Sequence, residues 1–283
     1  MPHPTVPDRT CRRQLCLAGL GLCLGLGQQV AARAQAGPFD HSHAAWTALL
    51  RKHVVLLGGG RASQLRYAGM AADRPALKAY LAQLSALPAA AFEALAKAQQ
   101  MAFLINAYNA FTVELILSRY PKLESIRDLG GFLSKPWSIR NVPLLGGLLT
   151  LDEIEHEHLR ARGRYDDPRI HFAVNCASVG CPMLREEAYV AERLSAQLDE
   201  QTARFMSDRS RNRYVGGKLE VSRIFDWYGK DFALGHRGIT SLQAFMASQA
   251  ERLADAPADR ERIRGHNLPI AFLDYDWKLN DAP

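Results

Sequence analysis

The sequence predicts a single α+β domain, with helices packed on a small antiparallel sheet around one central buried helix. The first observation is the segment "AAFEALAKAQQMAFLINAYNAFTVELILSRYP", which keeps a helical period yet is apolar almost all round. That is the pattern of a helix enclosed by others. The second is a pair of double glycines, Gly146-Gly147 and Gly216-Gly217, each between two short strand-like runs, which reads as two hairpins. The third is the lack of any internal repeat, low-complexity stretch or Gly-rich phosphate loop, which leaves mixed helices and short strands around one core.

Taken in order, residues 1–36 read as an export signal. Arg12 and Arg13 form a basic start, Leu15 to Leu26 an apolar run too short to span a bilayer, and Ala34-Gln35-Ala36 a small-residue cleavage site. The paired arginines followed by Gln14 and Leu15 fit a twin-arginine signal; an ordinary signal carrying two arginines fits as well. The expected location is therefore periplasmic or secreted. No second apolar stretch is long enough to cross a membrane, so no stable span is expected after signal removal.

Cleavage removes Arg9, Arg12, Arg13, Arg33 and Asp8, which lowers the net charge from +6 to +3. The remaining basic residues are interleaved with acids, as in "RLADAPADRERIRGHN", which excludes a phosphate-tracking stripe and with it a nucleic-acid partner.

Residues 37–90 form an N-terminal helical segment. "HSHAAWTALLRKHVVLLGGG" has a short helical pattern ended by three glycines, and a second segment starting near Tyr67 includes "RPALKAYLAQLSALP". The main domain spans 91–280. In its long helix, which Pro121 ends, Met101, Leu104, Ile105, Tyr108, Phe111, Thr112 and Leu115 share one arc, while Asn106 and Asn109 fall on the opposite arc among Ala102, Val113 and Leu117. A buried amide needs partners, because an unpaired one costs about 1–3 kcal/mol. These asparagines either tie the helix to neighbouring backbone or orient a catalytic group.

Thr150 with Glu153 fits a capping box that opens the helix "LDEIEHEHLR", and Gly163 fits its stop. The apolar arc Leu151, Ile154 and Leu159 turns Glu155 and His158 inward and His156 outward. "IHFAVNC" reads as a core strand, "NRYVGGKLEVS" as the second hairpin and "LPIAFLDYDWKLN" as a last strand. Between them lie helices at "AERLSAQLDEQTARFMS" and "SLQAFMASQAERLA".

Cys11, Cys16 and Cys23 leave with the signal, so Cys176 and Cys181 are the thiols of the mature chain. In an oxidising compartment two nearby cysteines are a disulfide candidate. Thiol catalysis is the sharper alternative and needs a thiol of lowered pKa beside a base. Pro182 suits the first position of a helix, which would put Cys181 at its cap and make it the more acidic thiol; Cys176 ends the expected strand. Strand parity puts His171 and Cys176 on opposite faces. Metal is not expected, since Cys-x4-Cys is not the tight spacing of zinc sites and no second Cys/His pair accompanies it. No cofactor motif is present.

"FLINAYNAFTVELIL", "LTLDEIEHEHLR", "DPRIHFAVNCASVGCPMLREEAY", "LDEQTARFM", "VSRIFDWYGKDF" and "FLDYDWKLN", in this order and spacing, resemble the family catalogued as domain of unknown function 547, from about Ala91 to Asn280. The resemblance implies a shared fold, frequent export and a distant kinship with papain-like and transglutaminase-like thiol enzymes. It marks Asn106, Tyr108, Asn109, Glu155, His156, His171, Cys176, Cys181 and Pro182 in this chain. The functional expectation is a thiol-dependent hydrolase or acyl transferase on a small amide or peptide-like substrate. Cys176 or Cys181 would be the nucleophile, His171 or His156 the base, and Asn106, Asn109 or Glu155 the orienting partner. The alternative is a non-catalytic exported binding or structural module, stapled by a Cys176–Cys181 disulfide.

Overall fold

The computed structural model describes residues 39–131, 135–265 and 267–283. The expected signal at 1–36 lies outside them. Helix α1 (Ala44–His53) does not run on to the three glycines, because the β-branched pair Val54-Val55 opens strand β1 (Val54–Leu57) instead. Gly58, Gly59 and Gly60 all take positive φ and turn the chain into antiparallel β2 (Ala62–Leu65). Helices α2 (Tyr67–Ala72), α3 (Arg74–Ala86) and α4 (Ala89–Glu93) follow.

The long helical pattern breaks once, and α5 spans Lys97–Leu117. The break is held by Gln100, whose side-chain amide donates to the carbonyls of Phe92, Glu93 and Leu95. Every α5 residue from Gln100 to Val113 is buried. Only a helix covered on all sides shows that, as its sequence requires. Against it pack Trp46, Tyr67, Leu77, Tyr80 and Leu84 from the N-terminal helices, which share its core.

The hairpins fall where the double glycines put them. Strands β3 (Val142–Leu144) and β4 (Gly147–Leu149) pair across Leu145-Gly146, both at positive φ. Helix α6 (Leu194–Met206) leads to β5 (Arg213–Val215) and β6 (Lys218–Val221), which pair across Gly216-Gly217. After α7 (Ile224–Trp227), α8 (Leu242–Ser248), α9 (Ala250–Leu253) and α10 (Pro257–Arg264), strand β7 (Ile270–Phe272) returns parallel to β6. The architecture is α+β; among the described residues the strands are shared among three small sheets, with β6 and β7 parallel and the other strand pairs antiparallel. A second apolar cluster, built on Phe172, Phe205, Phe225, Phe232 and Phe245, lies under that last sheet. Helix α6 joins the two cores, with Leu194 and Leu198 in one and Phe205 and Met206 in the other.

"IHFAVNC" is not a strand. Pro168–Phe172 is a short 3-10 helix, capped by the Asp167 side chain on the Arg169 N–H, and the chain then runs irregularly to Cys181. An apolar run of this length is compatible with either state. What decides it is where the backbone groups find partners. Side chains of flanking helices supply them: Asn109 takes the Ala173 carbonyl and the Asn175 N–H, and Gln201 takes the Phe172 carbonyl. No helix starts at Pro182 either, so Cys181 does not cap one.

Candidate functional site

A cleft of about 900 Å³ opens between α5, the loop 174–182 and the chain's last segment. Tyr108, Glu155, His156, His171, Cys176 and Cys181 line it, with an aromatic wall of Trp137, Trp227, Tyr228, Tyr275 and Trp277. Trp227 is 42% exposed, a high value for the largest apolar side chain.

The two asparagines of α5 build the frame. Asn106 makes a two-way clasp with the Tyr189 backbone, donating to its carbonyl at 2.8 Å and accepting from its N–H at 3.0 Å. Asn109 clasps Ala173 and Asn175 in the same manner at 2.9 and 2.8 Å. Both amides are spent on backbone, so neither orients an imidazole.

Asn175 shapes the cysteine loop, accepting from the Ala177 N–H and donating to the Pro182 carbonyl. Ala177 sits at φ 62°, a left-handed conformation that a non-glycine residue holds only when its surroundings fix it. Gly180 passes so close to the Asp276 backbone that an added Cβ would lie 3.0 Å from its N and O atoms. That approach brings Tyr275 to the thiols.

Cys176 and Cys181 are both free thiols, with their sulfurs 2.8 Å apart. Cys176 is partly exposed to the cleft, while Cys181 is 5% exposed. The expected order of acidity is reversed. A hydrogen bond from Cys181, opposed by burial and assisted by Tyr275 at 3.1 Å and by Ser178, lowers the Cys176 pKa. Burial and the adjacent Cys176 raise that of Cys181 well above its ordinary value. With no helix terminus beside it, the Cys181 thiol has only the Cys176 N–H and Tyr275 to set against desolvation, and burial prevails.

His171 and Cys176, placed on opposite faces by strand parity, line the same cleft because the strand is absent. The His171 ring stacks on Tyr228 at 4.2 Å, and its Nε2 lies 2.8 Å from Asp231 Oδ2. A carboxylate accepts, so Nε2 carries the proton and Nδ1 keeps the basic lone pair of the neutral ring. Burial would raise the Asp231 pKa, but hydrogen bonds from His171 and Arg160 hold it well below the usual carboxylate range. Arg160 reaches Asp231 at 2.7 Å and donates to His156 Nδ1 at 2.7 Å, which links both histidines through one guanidinium and one carboxylate.

The helix bearing Glu155 and His156 opens with the expected box: Thr150 N–H to Glu153 at 2.7 Å and Glu153 N–H to Thr150 Oγ1 at 3.0 Å. It then winds as a π-helix over Glu153–Leu159, with Arg160 N–H reaching back five residues to the Glu155 carbonyl. The wider turn rotates each side chain less than an α-helix does, so Glu155 stays buried while the adjacent His156 also faces the cleft. His156 is thus not turned away from the site, as α-helical spacing would have it. His158 lies outside the cleft lining, half-buried, its pKa lowered by burial and then by Arg164.

Residues 92–206 match the family described as "Protein of unknown function, DUF547". Over that segment, less than half of the chain, the protein is similar to the DUF547 family. Searches of curated proteins and of solved structures found no match. The DUF547 segment holds all seven sequence-derived candidates: Asn106, Asn109, Glu155, His156, His171, Cys176 and Cys181. Asp231, Tyr228 and Tyr275 lie C-terminal to it. They stand in "VSRIFDWYGKDF" and "FLDYDWKLN", and no local pattern in those blocks pairs them with a histidine or a thiol across 60 and 99 residues.

Among the described residues no group of three or more His, Cys, Asp or Glu is placed to hold a metal, and no helix is long and apolar enough to cross a membrane.

Proposed function

We propose that the protein is an exported, periplasmic or secreted thiol-dependent hydrolase or acyl transferase acting on amide or peptide-like substrates. Cys176 is the nucleophile, His171 the base through Nδ1, and Asp231 the partner that fixes the imidazole. The observation that carries this reading is the convergence of the partly exposed, acidified Cys176 and the Asp231-bound His171 on one aromatic-walled cleft. In such a site the thiolate attacks the substrate carbonyl, the amine leaves with a proton from the imidazolium, and water or a second acceptor, deprotonated at Nδ1, resolves the thioester. The cleft volume lies in the range of small-ligand sites.

The test is intact-mass labelling with iodoacetamide across pH, together with acylation by p-nitrophenyl acetate. Cys176 is expected to label first, and Cys176→Ala to lose the acetyl adduct while Cys181→Ala keeps it. An adduct that survives Cys176→Ala sinks the assignment.

The 2.8 Å separation of the sulfurs supports a second reading, in which oxidation joins Cys176 to Cys181 and the cleft binds its ligand without chemistry. A native protein whose thiols label only after reduction, and which shows no acylation once reduced, selects it.

A further inference from the structure

The thiol reading leaves one requirement open: the tetrahedral intermediate places negative charge on the former carbonyl oxygen, and a pre-aimed donor must meet it. Backbone N–H groups around the nucleophile are the usual source, yet here the Ser178 N–H already supports the Cys176 sulfur and the three before it are engaged elsewhere. The Asn175 N–H goes to Asn109 Oδ1 at 2.8 Å, the Cys176 N–H to the Cys181 sulfur at 2.9 Å, and the Ala177 N–H to Asn175 Oδ1 at 2.9 Å.

We infer that the Tyr275 hydroxyl is the oxyanion donor of this site, a catalytic residue supplied by the last segment of the chain. It lines the cleft and lies 3.1 Å from the Cys176 sulfur. The oxyanion is bonded to the carbon that the sulfur attacks, so it forms beside the sulfur. A donor already on the sulfur needs only a small rotation to reach it, within the roughly 2.7–3.1 Å that such donors require. The hydroxyl is firmly placed. Tyr275 packs against Trp277 at 4.5 Å and Trp227 at 4.9 Å, and the Gly180 N–H holds the neighbouring Asp276 carbonyl at 2.8 Å. Its phenol also stays protonated, since burial and the adjacent Cys176 raise its pKa well above the ordinary value. Before attack the O–H supports the thiolate. As the C–S bond forms and the carbonyl π pair moves to oxygen, the same O–H transfers its hydrogen bond to that oxygen, and it gives it up when the C–O double bond reforms and the leaving group departs.

This assignment rests on Cys176 being the nucleophile, and two reagents separate the two claims. Iodoacetamide reacts by displacement of iodide at a saturated carbon and forms no oxyanion, whereas p-nitrophenyl acetate acylates through one. Both rates are read at Cys176 by intact mass and peptide mapping, at pH values where alkylation has levelled off and the sulfur is fully ionised. For Tyr275→Phe the ratio of acylation to alkylation is expected to fall at least about tenfold, and the alkylation profile to move to higher pH. An unchanged ratio overturns the role of Tyr275 and leaves Cys176 standing. A wild-type protein that alkylates at Cys176 but never acylates overturns both. If Tyr275→Phe fails to fold, 3,5-difluorotyrosine at position 275 keeps the shape and strengthens the donor. The ratio should then rise below the pH at which that phenol ionises, and a ratio equal to wild type again removes the assignment.

Discussion

The Asp231 carboxylate serves two donors at once, with His171 Nε2 at 2.8 Å and Arg160 Nε at 2.7 Å on the same oxygen. That geometry fixes which histidine nitrogen is basic, and a change of one atom type should undo it. In Asp231→Asn the side-chain amide turned toward His171 presents N–H, which favours the tautomer protonated on Nδ1 and removes the base lone pair. The acetyl-Cys176 adduct is expected to hydrolyse about ten-thousandfold more slowly, a loss of the size found when a triad carboxylate is neutralised. Iodoacetamide labelling of Cys176 at high pH, which needs no base, should stay within about twofold, because the variant is isosteric. Time-resolved intact mass after a short acylation pulse reads the first rate. An adduct that clears as fast as in the wild type would remove His171–Asp231 from the mechanism.

At the scale of elements, α5 acts as a peg rather than as a carrier of catalytic groups. Its clasps at Asn106 and Asn109 hold the Tyr189 and Ala173–Asn175 backbones, and the second sets the loop that bears Cys176. Asn109→Ala leaves a buried carbonyl and a buried N–H without partners, at a cost of about 3 kcal/mol in urea unfolding, and should slow Cys176 labelling as the loop loses its anchor. A loss under about 1 kcal/mol would show that water or a shifted backbone replaces the clasp. The same elements show what sequence can and cannot disclose. The enclosed helix, the two glycine hairpins and the Thr150–Glu153 box are written in neighbouring residues, and they appear where those residues put them. "IHFAVNC" misleads because its backbone partners are side chains 66 residues upstream and 29 downstream, at Asn109 and Gln201, which no local periodicity reports. The π-winding at Glu153–Leu159 is invisible for the same reason, and with it the approach of His156 to the cleft. Pro182 alone misleads about the acidity of Cys181. A proline that fits a helix start equally fits an extended turn, and without the helix there is no dipole to lower the thiol.

At the scale of the whole molecule, the site draws on segments from Tyr108 to Trp277, so it exists only while the fold closes around α5. The N-terminal helices are part of that closure. His43 at the start of α1 is 2% exposed, with Nδ1 2.7 Å from the Tyr80 hydroxyl of α3, and Tyr80 stacks on Trp46. Burial, opposed by Asp40 and assisted by His41, lowers the His43 pKa from 6.5 to about 4. The unfolded chain therefore binds the proton more readily than the folded one. The stability that this neutral histidine contributes is complete above about pH 6.5, declines as pH falls toward 4, and is level below that. The window is worth about 3 kcal/mol. It lies above the one set by Asp231, whose depressed pKa gives stability that is lost only as pH drops below the ordinary carboxylate value. Urea unfolding at pH 7 and pH 4.5 should show most of the loss in the wild type. In His43→Gln, which keeps a hydrogen-bonding side chain opposite Tyr80 but cannot titrate, the loss over the same interval should be much smaller. Equal losses in the two proteins would mean that His43 is protonated in the fold, and that the α1–α3 contact tolerates a charge that its burial argues against.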